Sequence, residues 1–275
     1  MTSSLLQVGE LAALMQDKPI TLVRAVMDDP VTSAPDTRDA FVLPSSVDVD
    51  LDKEGSDHAI ALPHTMPSAS AFADYLGKKG ITENTPLVVY DTRGIYSAPR
   101  VWWMLKSVGH SEAYLLDGGQ PAWKTAGLPV SETSQASQNT YQAIPQSNWF
   151  VDANTVLEAL NSDVQVIDAR SKPRFHGEIP EPREGLRSGH MPGAFNIPFT
   201  ELLKNNHFLP VADLKDVFDK VNIDLSKPII CTCGSGITAC IIGYAALLCG
   251  ANDVAVYDGS WSEWGANSQY PVVID

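Results

Sequence analysis

Lys227-Pro228-Ile229-Ile230-Cys231-Thr232-Cys233-Gly234-Ser235-Gly236-Ile237-Thr238-Ala239-Cys240 is the stretch on which the fold turns. Its first half is a short apolar run of strand length, bounded by a proline and a glycine, and reads as a buried strand ending at Thr232. Two glycines then interrupt it, and a helical pattern begins near Thr238 and runs to Cys249. A strand that passes through a glycine-bearing loop into a helix is the repeating unit of a parallel α/β sheet. Such a loop lies at the carboxyl end of its strand, where open α/β sheets place their ligands. Its N–H groups converge at a helix N-terminus and favour an anion there. Cys233 stands at that point, so its thiolate is the anion the loop stabilises. Gly234 and Gly236 permit the tight backbone.

The same alternation extends outward. Pro86 to Tyr90, Val164 to Asp168 and Val254 to Tyr257 read as further strands, and Ala98 to Val108 as a helix. The chain also repeats itself. Gly109 precedes Asp117-Gly118 and Trp123 in the register in which Gly250 precedes Asp258-Gly259 and Trp264, and the two aspartates are 141 residues apart. A duplicated domain follows from that shared register. The polar stretch from Ser131 to Ser147 separates the copies. The expected organisation is therefore α/β, with domains at 1–132 and 148–275, a linker at 133–147, and a mainly parallel sheet flanked by helices in each domain.

Bulk properties narrow the function. The 275 residues carry a formal charge of -14 and are 44% hydrophobic, which fits globular domains but disfavours nucleic acid or an anionic membrane as partner. No apolar run reaches the length of a membrane span. Met1 to Glu10 lacks the basic start and apolar stretch of a secretion signal, so a cytoplasmic location is expected. All four cysteines, Cys231, Cys233, Cys240 and Cys249, fall in one short window. That is neither a disulfide framework nor the spacing of a zinc site. Cys231, Cys240 and Cys249 read as small buried hydrophobes. A cysteine phosphatase closes a similar loop with Arg, but position 239 is Ala, so no bidentate phosphate clamp is present. The short span from Cys233 to Thr238 favours a single atom such as sulfur over a phosphate group.

Several motifs resemble those of the tandem-rhodanese sulfurtransferases, and most closely their mercaptopyruvate branch. They are Cys233 to Cys240, Gly189-His190-Met191-Pro192-Gly193-Ala194-Phe195-Asn196-Ile197-Pro198, Tyr257-Asp258-Gly259-Ser260-Trp261-Ser262-Glu263-Trp264 and Tyr96-Ser97-Ala98-Pro99-Arg100-Val101-Trp102-Trp103. The resemblance covers nearly all of the chain and implies two tandem rhodanese-like domains, the second catalytic and the first a non-catalytic copy. The first half has no cysteine, and Asp91 opens its loop. One departure stands out: Phe41-Val42-Leu43-Pro44-Ser45-Ser46 occupies the place of a His-Ile-Pro-Gly-Ala-type segment.

The resemblance also implies site residues. Cys233 is the nucleophile that carries sulfur as a persulfide. Gly234, Gly236, Ile237 and Thr238 line the substrate loop with it. Thiosulfate-preferring members place Arg and Lys after the nucleophile, whereas Ser235 is neutral, as suits a monocarboxylate. Arg174 and Arg183 map onto the pair that holds the carboxylate, a role for which the planar guanidinium is apt. Arg170 is expected to pair internally, and Arg187 to be a solvated or ion-paired side chain. Ser235, His64 and Asp52 map onto a Ser-His-Asp arrangement, with Asp50 as the fallback aspartate. The expected reaction takes sulfur from 3-mercaptopyruvate, releases pyruvate, and passes the sulfur to a thiol or cyanide, with thioredoxin a candidate acceptor. It needs neither metal nor organic cofactor. A thiosulfate:cyanide sulfurtransferase and a non-catalytic sulfur carrier remain as alternatives.

Overall fold

The structure is a computed structural model that describes residues 4–29, 36, 41–132 and 137–274. The chain divides into two compact units. The first comprises Met1–Asp57, Met66–Gln146 and Asn205–His207; the second comprises His58–Thr65, Ser147–Lys204 and Phe208–Asp275.

In the first unit, strands β1 (Leu5–Leu6), β2 (Thr21–Val26), β3 (Val47–Asp50), β4 (Leu87–Tyr90) and β5 (Ala113–Leu116) form one sheet in the order β1-β5-β4-β2-β3. Every pairing is parallel. Helices α1 (Val8–Asp17), α2 (Ala69–Lys78), α3 (Ala98–Ser107) and α4 (Gly119–Thr125) connect the strands. The second unit repeats the pattern with β6 (Phe150–Val151), β7 (Gln165–Asp168), β8 (Phe195–Asn196), β9 (Ile229–Thr232) and β10 (Val254–Tyr257), ordered β6-β10-β9-β7-β8 and again wholly parallel. Its helices are α5 (Ala153–Ala159), α6 (Lys172–Phe175), α7 (Val211–Lys220), α8 (Ala239–Leu248) and α9 (Ser260–Trp264). Counted within each unit, the strand order is the same, so the Gly, Asp-Gly and Trp register in the sequence reflects a repeated topology.

All four residues of β4 and of β9 are buried, because each strand is central in a sheet covered on both faces. Hence both read as unbroken apolar runs rather than alternating ones. Helix α8 is apolar nearly all round and buried from Ala239 to Ala246, as expected of an enclosed helix. The strand after Lys227 begins at Ile229, past Pro228, whose missing N–H cannot join the ladder. Trp123 and Trp264 are both buried, and each indole N–H donates to the carbonyl of a proline beyond its helix, Pro129 at 2.9 Å and Pro271 at 2.8 Å. That shared tie gives the repeated tryptophan its physical reason.

Residues 133–136 of the stretch read as a linker lie outside the described residues. Its following part runs along the first unit: Asn139 N donates to Gly77 O, Ile144 N to Val108 O and Gln146 N to Ser107 O. Tyr141 is buried there, with its hydroxyl 3.1 Å from His110 Nδ1. Among the described residues no helix is long and apolar enough to cross a membrane.

Candidate active site

Strand β9 ends at Thr232, and Cys233 is the next residue, at the carboxyl end of the central strand of the second sheet. Its side chain is nearly enclosed, with 2% of its surface exposed. The loop is pinned from the first turn of α9. Cys233 N donates to Ser260 Oγ at 3.2 Å, and Trp261 N donates to Cys233 O at 2.9 Å. Gly234 O accepts from both Ser262 N at 2.9 Å and Ser262 Oγ at 2.7 Å. Gly236 has φ +75, a left-handed conformation that a glycine adopts without steric cost.

Ser235, also buried, lies with its Oγ 3.1 Å from His64 Nδ1. The segment His58–Thr65 belongs to the same compact unit as this loop. His64 has φ +59, an uncommon conformation for a residue with a side chain and one that clusters at functional sites. A serine hydroxyl held by an imidazole nitrogen is a ready donor or acceptor of a proton.

A cation stands beside the nucleophile. A Cβ placed on Gly234 would lie 3.3 Å from Arg174 Nη2, so the guanidinium sits against the loop. One edge of Arg174 is anchored: its Nε and Nη2 donate to Glu181. Nη1 has no hydrogen-bond partner among the described residues, and the side chain is 21% exposed. Glu181 is itself buried and also accepts from Arg170 Nη1 at 2.9 Å. Arg170 in turn grips Asp168 through Nε and Nη2, donates to Gly189 O, and stacks its guanidinium on the Trp261 ring at 4.0 Å. Two arginines and two carboxylates thus form a charge-balanced network under the loop. Arg183 reaches Ser262 Oγ with Nη1 at 3.4 Å.

The first unit carries an internal comparison. Asp91 follows β4 as Cys233 follows β9. Its carboxylate is buried and accepts from the backbone N–H groups of Arg93, Tyr96 and Ala98 at 2.8, 2.8 and 2.9 Å. Burial raises its pKa above the ordinary carboxylate value, against the pull of those amides. This loop conformation therefore gathers amides around an anion. In the first unit the protein's own carboxylate fills the cradle; in the second the residue that follows the matching strand is Cys233.

Comparison with known proteins agrees with this architecture. The rhodanese-like domain profile matches residues 9–126 and 152–267. The chain belongs to the rhodanese-like family. This rhodanese-like chain is 43% identical over 232 residues to a 3-mercaptopyruvate sulfurtransferase of Mus musculus, covering 82% of the chain and 78% of the relative. It is 41% identical over 227 residues to a thiosulfate sulfurtransferase of Gallus gallus, covering 80% and 78%. The crystal structure of SseA from Escherichia coli, described as showing the rhodanese fold and mechanism of 3-mercaptopyruvate sulfotransferases, superposes with a TM-score of 0.84 at 32% identity, covering 94% of this chain and 99% of that one.

Within the rhodanese-like frame the remaining expected residues are placed as follows. Arg187 donates to the carbonyls of Trp264, Gly265, Asn267 and Tyr270, so it ties down the C-terminal segment. Cys231 and Cys240 are wholly buried; the Cys240 thiol donates to Gly236 O, and burial pushes the Cys231 thiol well up. Asp52 lies in the first unit, where its carboxylate accepts from Asp28 N at 2.6 Å. Asp50 accepts from Asp52 N and pairs with Lys53 at 3.1 Å. Three residues escaped the sequence reading: Glu181, Ser260 and Ser262. The two serines stand inside the quoted Tyr257-to-Trp264 motif, but their duty to Cys233 and Gly234 depends on backbone geometry that a one-dimensional pattern does not carry.

Proposed function

We propose that this rhodanese-like enzyme takes sulfur from 3-mercaptopyruvate onto Cys233 as a persulfide and passes it to a thiol or cyanide, releasing pyruvate. It is a sulfurtransferase, as its relatives are named, acting on a small-molecule donor and acceptor. The observation that carries the choice of donor is Arg174, fixed by Glu181 against Gly234 with one edge open, beside a loop whose Ser235 is neutral. One guanidinium edge matches one carboxylate, and Arg183 on Ser262 supplies a second cation.

In the first half-reaction the Cys233 thiolate attacks the donor sulfur. The S–S bond forms as the C–S bond breaks, and the electron pair leaves on carbon as the pyruvate enolate, which takes a proton to give pyruvate. Ser235, whose hydroxyl lies 3.1 Å from His64 Nδ1, donates toward the developing enolate in this reading. The amides of Gly236, Ile237 and Thr238 stabilise the anionic sulfur. In the second half-reaction an acceptor thiolate or cyanide attacks the outer sulfur and regenerates the Cys233 thiolate. A reduced thiol protein such as thioredoxin fits the acceptor role on chemical grounds.

The test is kcat/KM with 3-mercaptopyruvate and with thiosulfate as donors. The expected result is a clear preference for mercaptopyruvate. A preference for thiosulfate would replace this reading with the activity for which the Gallus gallus relative is named. A stable sulfur adduct without turnover on any small acceptor would mark a carrier instead.

A further inference from the structure

Comparing the two copies of the strand-loop-helix unit isolates one residue whose presence the fold does not explain. Ser260 opens α9 with φ +49, a left-handed backbone conformation. That conformation is disfavoured for any residue with a Cβ. In the first unit the matching position, after Asp117-Gly118, is Gly119, with φ +50. The preceding glycines differ, Gly118 with φ +73 and Gly259 with φ -66, but this position is left-handed in both copies, and glycine is the residue that adopts it freely. At Gly119 a Cβ would also lie 2.6 Å from Asp91 O, so the first unit has no room for a side chain there. The second unit has made that room and fills it with a serine that is wholly buried.

The hydroxyl both donates and accepts. Ser260 Oγ donates to Tyr257 O at 2.8 Å and accepts from Cys233 N at 3.2 Å. It links the end of strand β10 to the peptide of the nucleophile. Of the ties between this turn and the loop, one is common to both copies: Trp261 N to Cys233 O matches Gln120 N to Asp91 O at 3.0 Å. The others have no counterpart, because the first unit has Gly119 without a hydroxyl and Pro121 without an N–H. The added ties occur only where the loop bears a thiol.

We infer that Ser260 is a positioning residue for sulfur transfer, its left-handed backbone accepted so that its hydroxyl fixes the Cys233 peptide. The hydroxyl holds the Cys233 N–H and so sets the direction in which Sγ leaves the backbone. Its partners are Tyr257 O and Cys233 N rather than Arg174 or Arg183, so its removal is expected to act on the chemical step and leave binding unchanged.

The test uses Ser260→Gly and Ser260→Ala, and rests in its kinetic arm on the sulfurtransferase reading above. Both remove the hydroxyl, but only glycine relieves the left-handed backbone. Both variants are expected to lower kcat about tenfold, the loss of one hydrogen bond that matters in the transition state, with KM for the donor within about twofold of the parent. Ser260→Gly is expected to unfold at a temperature no lower than Ser260→Ala. Alkylation of Cys233 by iodoacetamide needs no sulfur donor and is expected to quicken in Ser260→Gly as the loop loosens. This arm reads the tie even where the donor assignment fails. Parental kcat together with parental alkylation in Ser260→Gly would overturn the inference, as would activity losses that simply follow thermal stability across the two variants.

Discussion

Glu181→Gln separates the network under the loop into its structural and functional parts. Glu181 is 1% exposed and accepts hydrogen bonds from two guanidinium groups, Arg170 and Arg174. With Asp168 it balances those two positive charges. The amide keeps one acceptor oxygen but removes the negative charge, leaving one guanidinium in excess. Arg170 is also 1% exposed and keeps Asp168, so it stays paired. The unpaired charge then falls to Arg174, which at 21% exposure can swing toward water. The cost therefore lies below that of stranding a fully buried charge, at about 2–3 kcal/mol. For a unit of this size that is roughly a 10 °C fall in Tm. Freed from its anchor, Arg174 must give up about 1–2 kcal/mol of rotamer entropy when it binds a carboxylate. That raises KM for mercaptopyruvate about tenfold. Calorimetry and steady-state kinetics on the same preparation give both numbers. A Tm within about 3 °C of the parent together with an unchanged KM would refute the view that Glu181 holds Arg174 ready for the donor.

Ser235→Ala removes the hydroxyl held by His64 and is expected to lower kcat by about a hundredfold, within the range of a lost proton-transfer group. His110 lies buried between Thr85 O and the Tyr141 hydroxyl, and burial lowers its pKa. Its folded pKa lies below the unfolded value near 6.5, so the unfolded chain binds the proton first and stability falls as pH drops below about 6.5. The gap in Tm between the parent and His110→Gln is expected to narrow from about pH 7 to about pH 5; a constant gap would contradict the assignment.

Features governed by local chemistry were open to the sequence. The run from Ile229 to Thr232, the two glycines and the apolar pattern after Thr238 give β9, the loop and α8 with ends within a residue or two. The repeated tryptophan reported a repeated topology because each indole makes the same tie to a proline carbonyl. Arg170 pairs internally, as expected, with Asp168 and Glu181. The features that escaped depend on contacts between residues far apart in sequence. Glu181 sits in a loop of prolines and charges, where an acidic residue is usually solvated, and only the folded loop turns it inward. Ser260 reads as one more polar residue after Asp258-Gly259 until its φ is known. The role of the 139–146 stretch along the first unit was hidden because its ties are mostly backbone bonds, which composition does not reveal.

The central claim is that Cys233 carries the transferred sulfur. Intact-protein mass spectrometry after brief mixing with 3-mercaptopyruvate, without acceptor, tests it most directly. The expected result is a gain of one sulfur atom, mapped by peptide analysis to Cys233, appearing with an equivalent burst of pyruvate and lost on adding cyanide. The Cys233→Ser variant is expected to show neither the adduct nor the burst. An adduct on Cys231, Cys240 or Cys249, or pyruvate release that persists in Cys233→Ser, would contradict the account.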